Sequence, residues 1–208
     1  MKDHNVQTKA VQEGHHATDE QEHSAAIFLA SSYRFKSAEQ AADRFDNKEK
    51  GNVYSRFTNP TVDSFQDKLA ALEDAEKCQA TASGMSAIFA TIMTLLKPGD
   101  HMVASRCMFG TTIVLLNSII EKFEIQITFV DLADLNAWEK SVQTNTKLFL
   151  LETPSNPLGE VVDIEKLAAI SKKNNIVLAV DNCVMTPALQ KPLILVADLV
   201  IHSATKYI

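Results

Sequence analysis

From Asn59 to Ile208 the sequence alternates short apolar runs with stretches of helical periodicity. The runs at 101–105, 125–130, 147–152, 176–181 and 198–202 are mostly apolar and rich in Val, Ile, Leu and Phe. A strand that is apolar on both faces has to be covered on both faces. The pattern therefore predicts an α/β fold, a mostly parallel sheet with helices on both sides. The helical stretches fit between the runs. Val62, Phe65, Leu69 and Leu72 share one face, with Thr61 as the expected N-cap. Ser83-Gly84 leads into a second helix carrying Met85, Ile88, Phe89, Ile92 and Leu96, which Lys97-Pro98-Gly99 stops. Further helices are expected around 110–122, around 134–141, and from an Asp163 cap to about Lys173, with a short strand near Cys78–Thr81. In sheets of this kind ligands bind beyond the carboxyl ends of the strands, so chemistry is sought there.

At 208 residues the chain exceeds a single domain of about 150, and is one domain plus an extension or part of something larger. Residues 1–24 hold four of the six His and hardly any apolar side chains. His15 and His16 are adjacent without a Cys or Asp cluster, which fits a solvated arm better than a metal site. Residues 25–58 mix apolar pieces such as Ile27–Ala30 with a charged run from Asp43 to Lys50. The expected organisation is an extended N-terminal arm over 1–58, packing on something other than its own core, and a domain over 59–208. Lys and Arg total 20 against 26 Asp and Glu, and no basic stripe suggests nucleic acid. No apolar run reaches the roughly 18 residues of a membrane span, and residues 1–22 lack the apolar core of a signal peptide. Cys78, Cys107 and Cys183 are far apart and form no CxxC. A disulfide framework or zinc site is not expected, and a reducing cytoplasm is the default location.

Four polar places fall at the strand ends. Ser83-Gly84-Met85-Ser86 opens a helix, where free amides and the helix dipole favour an anion, although such a turn also serves geometry alone. Asp181 ends the run Ile176–Val180; an acid there is partly desolvated and needs a cation or donors, unless it merely caps a loop. Lys206 follows another run with Ser203 and Thr205 in the same turn; a desolvated lysine is nucleophilic, a surface lysine is not. His202 beside it fits a packed histidine better than an acid or base. Thr153-Pro154-Ser155-Asn156-Pro157 sets an amide between stiff residues, which a turn alone would explain. Together these offer an anion site, a Schiff-base lysine and a carboxylate to hold a ring proton, the three needs of pyridoxal 5′-phosphate. Ser203-x-x-Lys206 also matches the SxxK of penicillin-binding serine hydrolases, but neither an SDN-like nor a KTG-like partner element is present.

Tyr54-Ser55-Arg56-Phe57-Thr58-Asn59-Pro60-Thr61, Ser83-Gly84-Met85, Glu152-Thr153-Pro154-Ser155-Asn156-Pro157, Val180-Asp181-Asn182 and Ser203-Ala204-Thr205-Lys206-Tyr207 resemble the Cys/Met metabolism family of pyridoxal-phosphate enzymes. The resemblance runs from about Thr8 to the end and implies the type I, aspartate aminotransferase-like fold. It implies that Lys206 carries the cofactor and shuttles protons, and that Asp181 pairs with the ring nitrogen. The amides of Gly84 and Met85 and the hydroxyls of Ser203 and Thr205 would hold the phosphate, with Asn156 a further cofactor contact. Tyr54 and Arg56 would reach the phosphate in a neighbouring subunit of a homotetramer, whose active sites are shared across a dimer. Arg suits a two-point contact with phosphate.

Ser105-Arg106-Cys107-Met108-Phe109-Gly110-Thr111-Thr112 and Asp181-Asn182-Cys183-Val184-Met185-Thr186-Pro187 resemble the O-succinylhomoserine sulfhydrylase branch. Lyases of the family usually carry Tyr where Phe109 stands; Phe can stack on the cofactor ring but has no hydroxyl. The implied reaction replaces the acyl group of an O-acyl homoserine, by this resemblance O-succinyl, with sulfide to give homocysteine in methionine biosynthesis. The alternatives within the family are cystathionine γ-synthase and methionine or cystathionine γ-lyase. Members continue for roughly as many residues again, so the C-terminal domain, with the arginine for the substrate carboxylate, is expected to be absent here. The competing expectation is an inactive fragment that only packs or oligomerises, in which apolar strands such as Leu193–Ala197 and Leu199–Ile201 lack neighbours.

Overall fold

The computed structural model describes residues 4–208, so residues 1–3 of the expected arm lie outside the described residues. The chain forms two compact units, one ending at Ala80 and one spanning Thr81–Ile208.

The first unit holds α1 (Val6–Gln12), α2 (Ala38–Phe45) and α3 (Pro60–Glu73). Asn59, not Thr61, caps α3: its side chain accepts from the Thr61 amide, and Pro60 takes the first helical position. Asn outranks Thr at a cap, and Pro at this position loses no hydrogen bond. Where the chain leaves α1, Gly14 has φ +71° and lies so close to α3 that an added Cβ would be 2.2 Å from the Ser64 carbonyl oxygen. The arm is also less extended than expected. In α2, Ser37 accepts from the Gln40 amide at the start, and Arg44 and Gln40 both donate to Glu49 at 2.9 Å. No residue of α2 is buried. Ala38, Ala41, Ala42 and Phe45 share one face of this short helix, and the Phe45 ring lies 6.2 Å from that of Phe35. Ser32 and Tyr54 form an antiparallel bridge that folds the intervening segment back on itself. The expected strand near Cys78–Thr81 is not formed; a strand exists only through a neighbour, and none pairs with this segment among the described residues.

The second unit is the expected parallel sheet with helices on both faces. Its strands are β1 (His101–Ser105), β2 (Gln126–Val130), β3 (Thr146–Glu152), β4 (Val177–Asp181) and β5 (Leu199–Ile201), in the order β2-β1-β3-β4-β5. Every pairing is parallel. The helices are α4 (Gly84–Leu95), α5 (Gly110–Ser118), α6 (Leu135–Lys140), α7 (Ile164–Lys173) and the short α8 (Thr186–Leu189), with a 3-10 turn at Ile120–Phe123. Asp163 caps α7, accepting from the Lys166 amide. Leu193–Ala197 is a series of turns rather than a strand, while Leu199–Ile201 does pair, with β4.

The two-residue period of the strands sends alternate side chains into two cores. Met102, Ala104, Leu148, Leu150, Ala179 and Ile201 pack with Ile88 and Ile92 of α4 and Leu115 and Leu116 of α5. Val103, Phe149, Leu151, Leu178 and Val180 pack on the other side with Trp138 of α6 and Leu167 of α7. Strand order reverses between β1 and β3, and such a switch point is where open α/β sheets bind ligands. At the opposite, amino-terminal end of the strands, His101 is buried with its ring nitrogens 2.7 and 2.9 Å from the hydroxyls of Thr146 and Thr128.

Candidate active site

The carboxyl ends of β3 and β4 each close on an acid. Glu152 and Asp181 are register partners in adjacent strands. Counting by twos from Leu150 and Ala179 puts both on the face covered by α4 and α5. Both are buried. Burial pushes the Asp181 carboxyl up, while the thiol and amide of Cys183 and the charges of His202 and Lys206 pull it back. The Cys183 amide donates to Asp181 Oδ1 at 3.0 Å. Burial and the neighbouring Asp181 raise Glu152 to about 7, against the pull of the Phe109 amide and the Lys206 charge.

The two helices on this face begin at the same end. At α4, Ser83 and Ser86 form a reciprocal capping box. That box takes up the amides of Ser83 and Ser86, and between them lie those of Gly84 and Met85, in the first turn where no intrahelical acceptor exists. The Met85 side chain turns inward, with the Thr112 hydroxyl 3.8 Å from its sulfur. An added Cβ on Gly84 would lie 2.8 Å from the Ser203 Cβ, so only glycine allows this approach between the start of α4 and the turn after β5. In that turn Ser203 donates its amide to Cys183 Sγ at 2.8 Å, and Lys206 donates its amide to the Ser203 carbonyl at 3.1 Å. Burial pushes the Cys183 thiol up, so it stays protonated. Ser203 is half-buried, whereas Thr205 and Lys206 are exposed, so the desolvation expected of Lys206 from its place after a buried strand is not found in this chain.

At α5, Phe109 occupies the N-cap without a side-chain cap of its own, and its amide donates to Glu152 Oε2 at 2.6 Å. Phe109 is 45% exposed. The loop after β3 is closed by Ser155, whose amide donates to the Glu160 carbonyl at 2.8 Å, and Asn156 is exposed beside it. Gly84, Asp181, Ser203, Lys206 and Phe109 are thus linked through Cys183 and Glu152. Neither linking residue is among the site residues the sequence predicts, although both stand inside the motifs that carry the resemblance. Glu152 had a signal: it ends an apolar run as Asp181 does. Cys183 had none beyond its closeness to Asp181. Tyr54 and Arg56 belong to the first unit and form their own pair, with the guanidinium 5.5 Å from the ring centroid.

Among the described residues no cluster of His, Cys, Asp and Glu could hold a metal ion, and no helix is long and apolar enough to cross a membrane. The cysteines Cys78, Cys107 and Cys183 are free thiols.

The family model for Cys/Met metabolism PLP-dependent enzymes matches residues 7–208. The chain belongs to that family. Among relatives of the Cys/Met metabolism family, an O-succinylhomoserine sulfhydrylase of Pseudomonas aeruginosa is 55% identical over 97% of this chain and 50% of its own length. An L-methionine gamma-lyase of Fusobacterium nucleatum is 44% identical over 88% of this chain and 46% of its own. Of solved structures, a Campylobacter jejuni protein assigned as an O-acetylhomoserine (thiol)-lyase superposes with a TM-score of 0.94 at 36% identity. The match covers 99% of this chain and 50% of that one, which holds an N′-pyridoxyl-lysine-5′-monophosphate. The chain therefore spans about half the length of the relatives it matches. The family is PLP-dependent, and the residues present fit that cofactor: two free amides against a Ser turn suit a phosphate, and a buried, desolvated Asp181 suits a cationic ring nitrogen.

Proposed function

We propose that this chain is the cofactor-binding half of an enzyme that exchanges the acyl group of O-succinylhomoserine for sulfide, releasing homocysteine and succinate. The observation that carries the reading is the joining of Gly84, Asp181, Ser203 and Lys206 at the strand ends, on one sheet face, in a relative of a sulfhydrylase.

Gly84 and Met85 would bind the phosphate through their amides, and Ser203 and Thr205 through their hydroxyls. Asp181 would hold the proton on the ring nitrogen: a buried carboxylate stabilises a cation more strongly than water does. Lys206 would hold the cofactor covalently, then take the proton from the substrate Cα and return it. Pyridoxal phosphate supplies the electron sink that accepts the pair left on carbon. Phe109 would cover the ring without offering a hydroxyl, and Asn156 would add a polar contact. Tyr54 and Arg56 would serve the phosphate of a neighbouring subunit within a homotetramer. Sulfide and the amino-acid ester are the small-molecule partners in this reading.

A γ-lyase is the second reading, favoured by the identity to methionine gamma-lyases. Phe109 favours the sulfhydrylase, because it stands where the lyases of the family usually carry tyrosine. Given O-succinylhomoserine and sulfide, the complete protein should make homocysteine as its main product, and without sulfide release 2-oxobutanoate only slowly. Ketoacid formed from methionine faster than homocysteine from the ester would overturn the reading in favour of a lyase.

A further inference from the structure

Two helices, α4 and α5, open at the carboxyl end of the same sheet face, and their N-termini are treated differently. The start of α4 carries its own capping box. The start of α5 has no side-chain cap from its own segment; instead the Phe109 amide donates at 2.6 Å to Glu152, 43 residues further along the chain. Glu152 reaches it from the end of β3, the strand beside β1 from which the Phe109 loop departs.

This arrangement costs free energy. Glu152 is buried, and its partner in the ladder is a second buried acid, Asp181. Two adjacent desolvated carboxyls disfavour each other's charge. Within a helix's own segment the acceptor for the N-cap amide is the N3 side chain, as Ser86 is for Ser83 at α4. N3 of α5 is Thr112, whose hydroxyl goes to the Met85 sulfur, so the acceptor for the Phe109 amide comes from elsewhere. The segment is thereby free to present an aromatic ring while its backbone is fixed from below. The charges facing Glu152 are Asp181 of β4 and Lys206 after β5, and the Cys183 thiol lies in the same cluster.

We propose that Glu152 is the positioning residue of the site: its side-chain oxygen pins the Phe109 amide, and so sets where α5 begins and where the Phe109 ring lies. The proposal rests on the reading of this cluster as the cofactor site. The property that matters is an acceptor of the right reach, and the charge is secondary. Glutamine keeps the reach without the charge; aspartate keeps the charge and falls one methylene short.

The test compares Glu152→Gln and Glu152→Asp in the complete, pyridoxal-phosphate-loaded protein, reading kcat and the circular dichroism of the cofactor's visible band. Glu152→Gln should stay within about threefold of wild type with an unchanged band. Glu152→Asp should lose about ten- to a hundredfold in kcat, the scale of an ångström's misplacement, with an altered band. Equal behaviour of both variants and wild type would overturn the proposal, as would Glu152→Gln being the more damaged of the two. Failure of wild type itself to show a visible cofactor band would instead overturn the reading of the site, and this proposal with it.

Discussion

The two units differ in how much apolar core they close. In Thr81–Ile208 Ile92, Trp138, Phe149 and Leu167 are fully buried between sheet and helices, while Leu158, Leu189 and Ile194 stay on the surface. In the unit ending at Ala80, α1 and α2 bury nothing, and Leu29 is 96% exposed with Ile27 and Phe57 also on the surface. The first kind of segment is held by its own core. The second is shaped by caps, a single bridge and ion pairs, and keeps apolar surface outside. The proposed function calls for such a difference: a sheet that builds the site and an arm that would serve another subunit.

The largest expected effect separates the units by stability. Phe149, packed 5.0 Å from Trp138 between ring centroids, should cost about 3–5 kcal/mol when changed to Ala. Leu29→Ala should change the stability of the single, dissociated subunit by no more than about 0.5 kcal/mol, as surface changes do. Denaturant melts of both variants check this, and equal losses would break the comparison. A smaller effect concerns the arm. Arg56→Ala and Lys206→Ala should each inactivate the complete protein, while mixed oligomers of the two should regain a fraction of wild-type activity. Hybrid sites would then hold an intact Lys206 and a partner's intact arginine. Verified mixed oligomers without any recovery would assign Arg56 to its own subunit.

The same contrast explains how much could be read from the sequence. The sheet was legible because burial on both faces writes continuous apolar runs, and β1 to β5 fall where those runs stand. The α2 helix was harder to read, because its apolar face is only Ala38, Ala41, Ala42 and Phe45, set among the charges of Asp43 to Lys50, and polar bonds of Ser37, Gln40, Arg44 and Glu49 hold it. The segment Cys78–Thr81 reads as a strand but has no neighbour among the described residues, and strand propensity alone makes no ladder. Leu193–Ala197 is apolar yet turns, with the Val196 backbone at φ +70°. In the site, residues at strand ends could be found one by one, since each ends an apolar run. Their links could not. That Glu152 meets the Phe109 amide depends on β1 and β3 being neighbours, and that Gly84 meets Ser203 depends on α4 lying against β5.

The central claim is that the turn after β5 carries the cofactor. Borohydride reduction of the pyridoxal-phosphate-loaded protein, followed by peptide mapping, tests it most directly. The account predicts a pyridoxyl group fixed to Lys206 and no such label in the Lys206→Ala variant. A pyridoxyl group on any other lysine, Lys68 or Lys77 of the first unit included, would contradict it.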